Sequence, residues 1–342
     1  MRGSTSSRAA SSSRAVSVPE PAGVPRPARA AHPAVRAWRR LHPRARCPDS
    51  IQVVKREEKS TVYRLLGAGP AGLPLIVKRC RPGPARLERT VYEDILPRVP
   101  VTRLHYYGSC DEAGGYRWVF LEDAGAERYS PEDPEHRALA GQWLGRLHTC
   151  AAHLAPTAGL PDRGPGYYLG RLRAARGALA LGLGNPLLGA DEIGEIRAVI
   201  AQCDLLESRW TRLEEACAGV PATLVHGDFR RKNVHLRGGP ERPEILPMDW
   251  EMAGRAAPAA DLTRVDLGAY WSVVRQAWPS VDWAAIQRLA HVGRIFQRVA
   301  AIDWISPRLG GDSRLVLLRP VTSMVVHRAG LAEEIEAAGL AS

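Results

Sequence analysis

The chain has 342 residues, with 47 Lys and Arg against 36 Asp and Glu, a formal charge of +11, and 45% hydrophobic residues. That apolar share can build a core and excludes wholesale disorder, and the length suits two folding units or one large domain with two lobes. Ten Arg and one acid, Glu20, fall within residues 1–48, leaving 37 basic and 35 acidic residues for the rest, so an inference from charge to nucleic acid or a membrane surface applies to that tail at most.

Residues 1–48 are rich in Ser, Ala, Pro and Arg without apolar periodicity, and read as a disordered tail with no secretory signal. Residues 49–125 read as a strand-rich lobe. The β-branched runs IQVV, STVYRLL and LPLIVKRC form an antiparallel meander, a helix spans Arg86 to Leu96, and the strands VTRLHYYG and YRWVFLED follow. Residues 126–342 read as mainly helical. Asp133 and Pro134 cap a helix whose Leu139, Trp143, Leu147 and Leu154 share a face, and a second helix is expected from Asp191 to Leu213. Two short strands, ATLVHGDF and EILPMDW, precede the C-terminal helices, and no uninterrupted apolar run reaches the ~18–20 residues of a membrane span.

The six Cys, at 47, 80, 110, 150, 203 and 217, have no metal-ligand or paired spacing and read as free thiols in a reducing cytoplasm. Lysine is rare, with only Lys55, Lys59, Lys78 and Lys232 beside 43 Arg, so each survivor marks a place where a compact ammonium has a use.

The densest polar constellation is LVHGDFRRKNVHL, then EILPMDWEMAG, then Asp261-Leu262. A carboxylate on a loop after a strand can accept the proton of an attacking hydroxyl. An amide and a second carboxylate on neighbouring strands can offer hard oxygens to Mg²⁺. A general base beside a divalent ion is the minimum for moving a phosphoryl group to an alcohol.

This pattern, HGDxxxxN followed by a strand ending in Asp and then Asp-Leu, resembles the aminoglycoside phosphotransferases over roughly residues 50 to 340. The resemblance implies a two-lobed protein-kinase-like α+β fold, with an antiparallel-sheet N-lobe and a mainly helical C-lobe. It implies ATP-dependent O-phosphorylation of a small hydroxylated molecule, with ATP or GTP and Mg²⁺ as cofactors. Asp228 would be the catalytic base, Asn233 and Asp249 would hold Mg²⁺, and His226 and Asp261 would support the loop. Lys78 would hold the nucleotide phosphates, with Glu88 as its partner carboxylate and Glu93 as the alternative. Ser60 would serve the phosphates, and Glu122 and Ala124 would meet adenine. Arg230 and Lys232 either touch the γ-phosphate or are solvated, while His148 and His153 read as packing or surface residues.

Two departures stand out: the flap EEKSTVYRL has no glycine, and the metal-binding strand ends in DWE rather than DFG. HGD in place of HRD points, with DWE, to small-molecule rather than protein kinases. The expected acceptor is an antibiotic such as an aminoglycoside, with Asp266, Asp303, Glu333, Glu334 and Glu336 as carboxylates for a polycation. An amino alcohol, homoserine or a sugar is the alternative, and a nucleotide-binding pseudokinase a further one. No specific nucleic acid and no membrane is expected as a partner.

Overall fold

The structure is a computed structural model that describes residues 26–154, 159–239 and 243–339. The chain forms two compact units: residues up to Pro82 with Tyr107–Asp123, and Gly83–Tyr106 with everything from Ala124 onward.

In the first unit, helices α1 (Arg26–Ala31) and α2 (Pro33–Leu41) precede strands β1 (Ser50–Arg56), β2 (Ser60–Leu66) and β3 (Leu75–Cys80). Between 26 and 48 the structure therefore differs from the expected tail; residues 1–25 lie outside the described ones. His32 caps α2 by accepting the Ala34 N–H at 3.2 Å, and Pro33 sits at the first helical position, where its missing N–H costs nothing. Ala34, Val35, Ala37 and Trp38 then bury one face against the sheet residues Ile51, Leu65, Leu75, Val77, Trp118 and Phe120. The Trp38 indole N–H donates to Ala68 O at 3.0 Å, so its polar edge is satisfied in the core.

Helix α3 (Pro82–Thr90) runs on through a π-helical turn, Val91–Ile95, and a short 3₁₀ turn; strands β4 (Tyr106–Glu112) and β5 (Tyr116–Glu122) follow. The antiparallel sheet has the order β1-β2-β3-β5-β4. Lys78 lies opposite Val62 on β2 and Val119 on β5, so the central strand carries it.

The second unit is mostly helical. Asp133 caps α4 (Pro134–Ala151) by accepting the Glu135 and His136 N–H groups. Helices α5 (Pro165–Gly182), α6 (Ala190–Ser208) and α7 (Trp210–Ala218) follow, so the single helix expected from Asp191 to Leu213 is two, broken at Arg209. The strands β6 (Thr223–Val225), β7 (Val234–Arg237), β8 (Glu244–Pro247) and β9 (Gly254–Ala256) make two small ribbons, β6 with β9 and β7 with β8. Helices α8 (Leu267–Ala277), α9 (Trp283–Ile305) and α10 (Arg314–Ala337) complete the unit. By length and hydropathy α10 alone among the described helices could cross a membrane. Here it buries Leu317, Val321, Met324, Leu331 and Ile335, and its Arg328 pairs with Glu195 of α6 at 2.9 Å.

Candidate active site

Strand β6 ends at Val225, and the next three residues form the loop His226-Gly227-Asp228. Gly227 has φ +75°, and a Cβ there would lie 2.5 Å from Met252 O, so the loop needs both the left-handed backbone and the missing side chain. The His226 ring fixes the loop from within: Nδ1 accepts the Asp228 N–H at 3.3 Å and Nε2 lies 3.0 Å from Met248 O. In that pairing Nδ1 is the acceptor and Nε2 the donor.

Asp261 braces the same loop. Its fully buried carboxylate accepts the His226 N–H at 2.7 Å and the Gly227 N–H at 2.9 Å. A third partner is His148 of α4, whose Nε2 lies 3.3 Å from Asp261 while Nδ1 lies 3.1 Å from the Tyr270 hydroxyl. Burial pushes the Asp261 carboxyl upward, but His148, His226 and these bonds outweigh it and hold it below the usual carboxylate value. His148, expected as a packing or surface residue, is thus a buried partner of the loop's brace; the His at the end of an apolar helical face was the available signal. His153 is exposed.

Asp228 itself is nearly covered, with 15% of its side chain exposed. Its Oδ2 accepts Asn233 Nδ2 at 2.8 Å and faces Lys232 Nζ at 3.0 Å, and its Oδ1 pairs with Arg230. Asn233 Nδ2 also donates to Asp228 O at 3.0 Å, which turns the amide oxygen away from Asp228. Asn233 O in turn accepts the Met248 N–H at 2.9 Å, and the next residue, Asp249, has φ 65° and ψ 61°. A left-handed backbone at a non-glycine residue is strained, and Asp is among the residue types that bear it best. An aromatic floor of Trp143, Phe229 and Trp250 supports both loops: Trp143 lies 6.2 Å from Phe229 and 6.4 Å from Trp250. The structure thus brings Asp228, Asn233, His226, Asp261 and the Asp249 loop together in the second unit.

The remaining expected residues are placed separately. In the first unit Lys78 is 8% exposed, Ser60 begins β2, and the Glu57 N–H donates to Ser60 O at 2.9 Å to close the glycine-free flap. Lys55, at the end of β1, pairs with Glu57 at 3.0 Å. Glu122 ends β5. In the second unit Ala124 follows directly, and α3 carries Glu88 fully buried, whereas Glu93 is exposed and paired with Arg89 at 2.6 Å.

Of the carboxylates expected to meet a polycation, Asp266 caps α8 through the Ala269 N–H at 2.7 Å, and Asp303 pairs with Arg171 at 2.8 Å. Glu334 binds Arg294 at 2.7 Å and His291 at 3.0 Å, leaving Glu333 and Glu336 exposed on α10. Trp278 is buried, while Trp271 and Trp283 hold each other at 6.3 Å, with Trp283 partly exposed. Among the described residues no three His, Cys, Asp or Glu side chains form a metal-binding group, and no cysteine is in a disulfide.

Solved structures share this fold. A GDP complex of a mutant of aminoglycoside 2'-phosphotransferase-IIIa aligns with a TM-score of 0.60 at 13% identity, covering 86% of this chain and 96% of that one. A microcompartment-associated aminopropanol kinase aligns at 0.57 and 18% identity, over 87% and 94%. A choline kinase from Cryptosporidium parvum Iowa II aligns at 0.56 and 10% identity, over 85% and 91%. No curated protein sequence matches the chain. The model of the phosphotransferase enzyme family, APH, matches residues 50–301, more than half of the chain, which therefore belongs to that family of small-molecule phosphotransferases and has its protein-kinase-like fold.

Proposed function

We propose that the protein transfers the γ-phosphoryl group of ATP to a hydroxyl of a small molecule, with Asp228 as the base. The observation that carries this reading is the loop itself: a carboxylate held at 2.8 Å by Asn233, on a backbone whose two preceding N–H groups are gripped by buried Asp261. A base so fixed orients the acceptor hydroxyl for in-line attack and takes its proton as the new bond forms, with no covalent enzyme intermediate. Before that, Oδ1 must exchange its ion pair with Arg230 for the hydroxyl.

Asn233 and Asp249 suit Mg²⁺, since both offer hard oxygens and the Asn233 amide is already turned so that its oxygen leads. The ion would supply charge neutralisation on the triphosphate. Lys78 would hold nucleotide phosphates; of the two candidate partners, buried Glu88 fits that role better than Glu93, which is committed to Arg89. Ser60 would offer its hydroxyl and N–H to the phosphates in place of a glycine-rich turn, and the backbone at Glu122 and Ala124 would meet the base. GTP is the alternative donor. Free buried thiols fit work in the cytoplasm, where thiols stay reduced.

Antibiotics of the aminoglycoside type, amino alcohols, homoserine and sugars are the acceptor classes to be separated by experiment. The test is transfer from ATP and GTP with Mg²⁺ across such a panel. Asp228→Ala is expected to lower kcat by about 10³-fold or more while nucleotide affinity stays within a few-fold. Turnover surviving that substitution overturns the assignment, and nucleotide binding without transfer identifies a pseudokinase.

A further inference from the structure

Resting on the kinase reading above, we infer that the acceptor carries an anionic group, a carboxylate or a phosphate, next to the hydroxyl, and that Arg163 and Arg230 recognise it. On this reading the acceptor, with its hydroxyl at Asp228, would lie against three stretches of chain that touch one another in turn: the catalytic loop, the segment from Asp249 to Arg255, and the segment before α5 that holds Arg163.

Backbone bonds lock the last two together. The Arg163 N–H donates to Arg255 O at 3.0 Å, and the Arg255 N–H donates to Pro161 O at 2.8 Å. Gly254 leaves the room for Arg163: a Cβ there would stand 2.1 Å from Arg163 Cγ. Two residues earlier, Met252 O abuts Gly227, the neighbour of Asp228. Arg163 is thus laid on the loop that touches the catalytic loop.

The charge balance of these segments is one-sided. Their carboxylates are Asp162, Asp228, Asp249 and Glu251. Asp162 accepts the Gly164 N–H at 2.6 Å, Asp228 holds Arg230 and Lys232, and Asp249 and Glu251 each have a partner of their own. Against them stand Arg163, Arg230, Arg231, Lys232 and Arg255. Among the described residues Arg163 meets no carboxylate: its Nε lies 3.5 Å from Ala253 O, and its guanidinium stacks over the Tyr167 ring at 4.4 Å. That stacking sets the plane of the fork and leaves its terminal N–H groups for a planar or tetrahedral anion. Arg230 is exposed and sits on the base. An anionic acceptor would draw Arg230 onto itself and free Asp228 Oδ1 for the hydroxyl, so that the right charge uncovers the base. A polycation would meet arginines and carboxylates already taken.

A series built on one scaffold tests this: glycerate, glycerol 3-phosphate, glycerol and 3-amino-1,2-propanediol, with kanamycin added. Binding to the MgADP-loaded full-length protein is measured by calorimetry, and transfer is measured from MgATP. Glycerate or glycerol 3-phosphate is expected to bind and to be phosphorylated with kcat/KM at least ~10-fold above glycerol and the aminodiol, the two acids separating carboxylate from phosphate. Arg163→Gln should remove that gap with the affinity for MgATP unchanged, and Arg230→Gln should remove it as well. Failure of both acids to bind, preference for the aminodiol or kanamycin, or a gap that survives both variants overturns the inference. Acids that bind without being phosphorylated uphold it and overturn the kinase reading instead.

Discussion

His148 Nε2 stands 3.3 Å from Asp261 Oδ2, with both side chains fully buried. Through it the Tyr270 hydroxyl on α8 is connected to the two N–H groups that shape the catalytic loop. With Nε2 donating to the carboxylate and Nδ1 accepting the tyrosine proton, every group in the chain has a partner. Removing one partner of a buried polar pair costs more than the pair contributed, because the other is left without water or a partner. His148→Ala is therefore expected to destabilise the second unit by about 3 kcal/mol, and Tyr270→Phe by about 1 kcal/mol. Urea unfolding midpoints of the two variants check the ranking.

Truncation before Pro48 tests the first unit. A chain starting there loses Ala34, Val35, Ala37 and Trp38 from the sheet's core. Trp38→Ala alone should cost about 3–4 kcal/mol, in the range seen for large buried aromatics. The truncated chain should melt earlier and bind MgATP more weakly, as read by thermal unfolding with and without nucleotide. Equal melting of the short and long chains would mean that α2 packs without contributing.

Gly227→Ala meets two obstacles at once, a positive φ and the Met252 carbonyl 2.5 Å away. Phosphate transfer should fall by about 10²-fold or more, since the loop must move to relieve the clash and carries Asp228 with it. Circular dichroism should remain that of a folded protein, because the defect is confined to one turn.

Alkali acts on two buried thiols. Burial pushes Cys203 and Cys217 from 9.0 up to about 12, with the nearby acids Asp204, Glu207 and Glu214 adding to it. The folded state keeps these protons up to about 12, whereas the unfolded chain releases them near 9.0. Their contribution is fully present below that lower value and is lost as pH rises through the window between the two. Stability measured across it should fall, less steeply in Cys203→Ala. At neutral pH a thiol reagent should label Cys47, Cys110 and Cys150 ahead of buried Cys80, Cys203 and Cys217.

Strands β1 to β3 and β5 were legible because their β-branched runs are separated by turn residues, and Lys78 stood out through the scarcity of lysine. Helix α2 was hidden by Arg36, Arg39 and Arg40. Its apolar stripe at 34, 35, 37, 38 and 41 is present, but the surrounding composition reads as an unfolded arm. Strand β4 starts at Tyr106 rather than Val101, because Thr102 is committed elsewhere: its hydroxyl donates to Ile245 O at 2.6 Å and its carbonyl accepts the Trp143 indole N–H at 2.9 Å. In the site, HGDxxxxN exposed the Asp228–Asn233 pair, since the four residues of loop and 3₁₀ turn between them fold that amide back on its aspartate. The contributions of His148, Tyr270 and Arg163 depend on contacts across 90 to 122 residues of chain, which no local spacing records.

The interleaving of the two units has a consequence for synthesis. Residues 83–106 interrupt the first unit yet belong to the second, and Thr102 waits for Ile245, 143 residues later, before its hydroxyl is satisfied. A nascent chain can complete the five-stranded sheet once β5 has left the ribosome, whereas residues 83–106, made before β5, belong to a unit whose remaining chain is still to come. That segment carries Val91, Tyr92 and Ile95, all buried in the finished fold, and emerges long before Ile245, so its apolar side chains meet whatever binds unfolded chain in the cell before the second unit is complete.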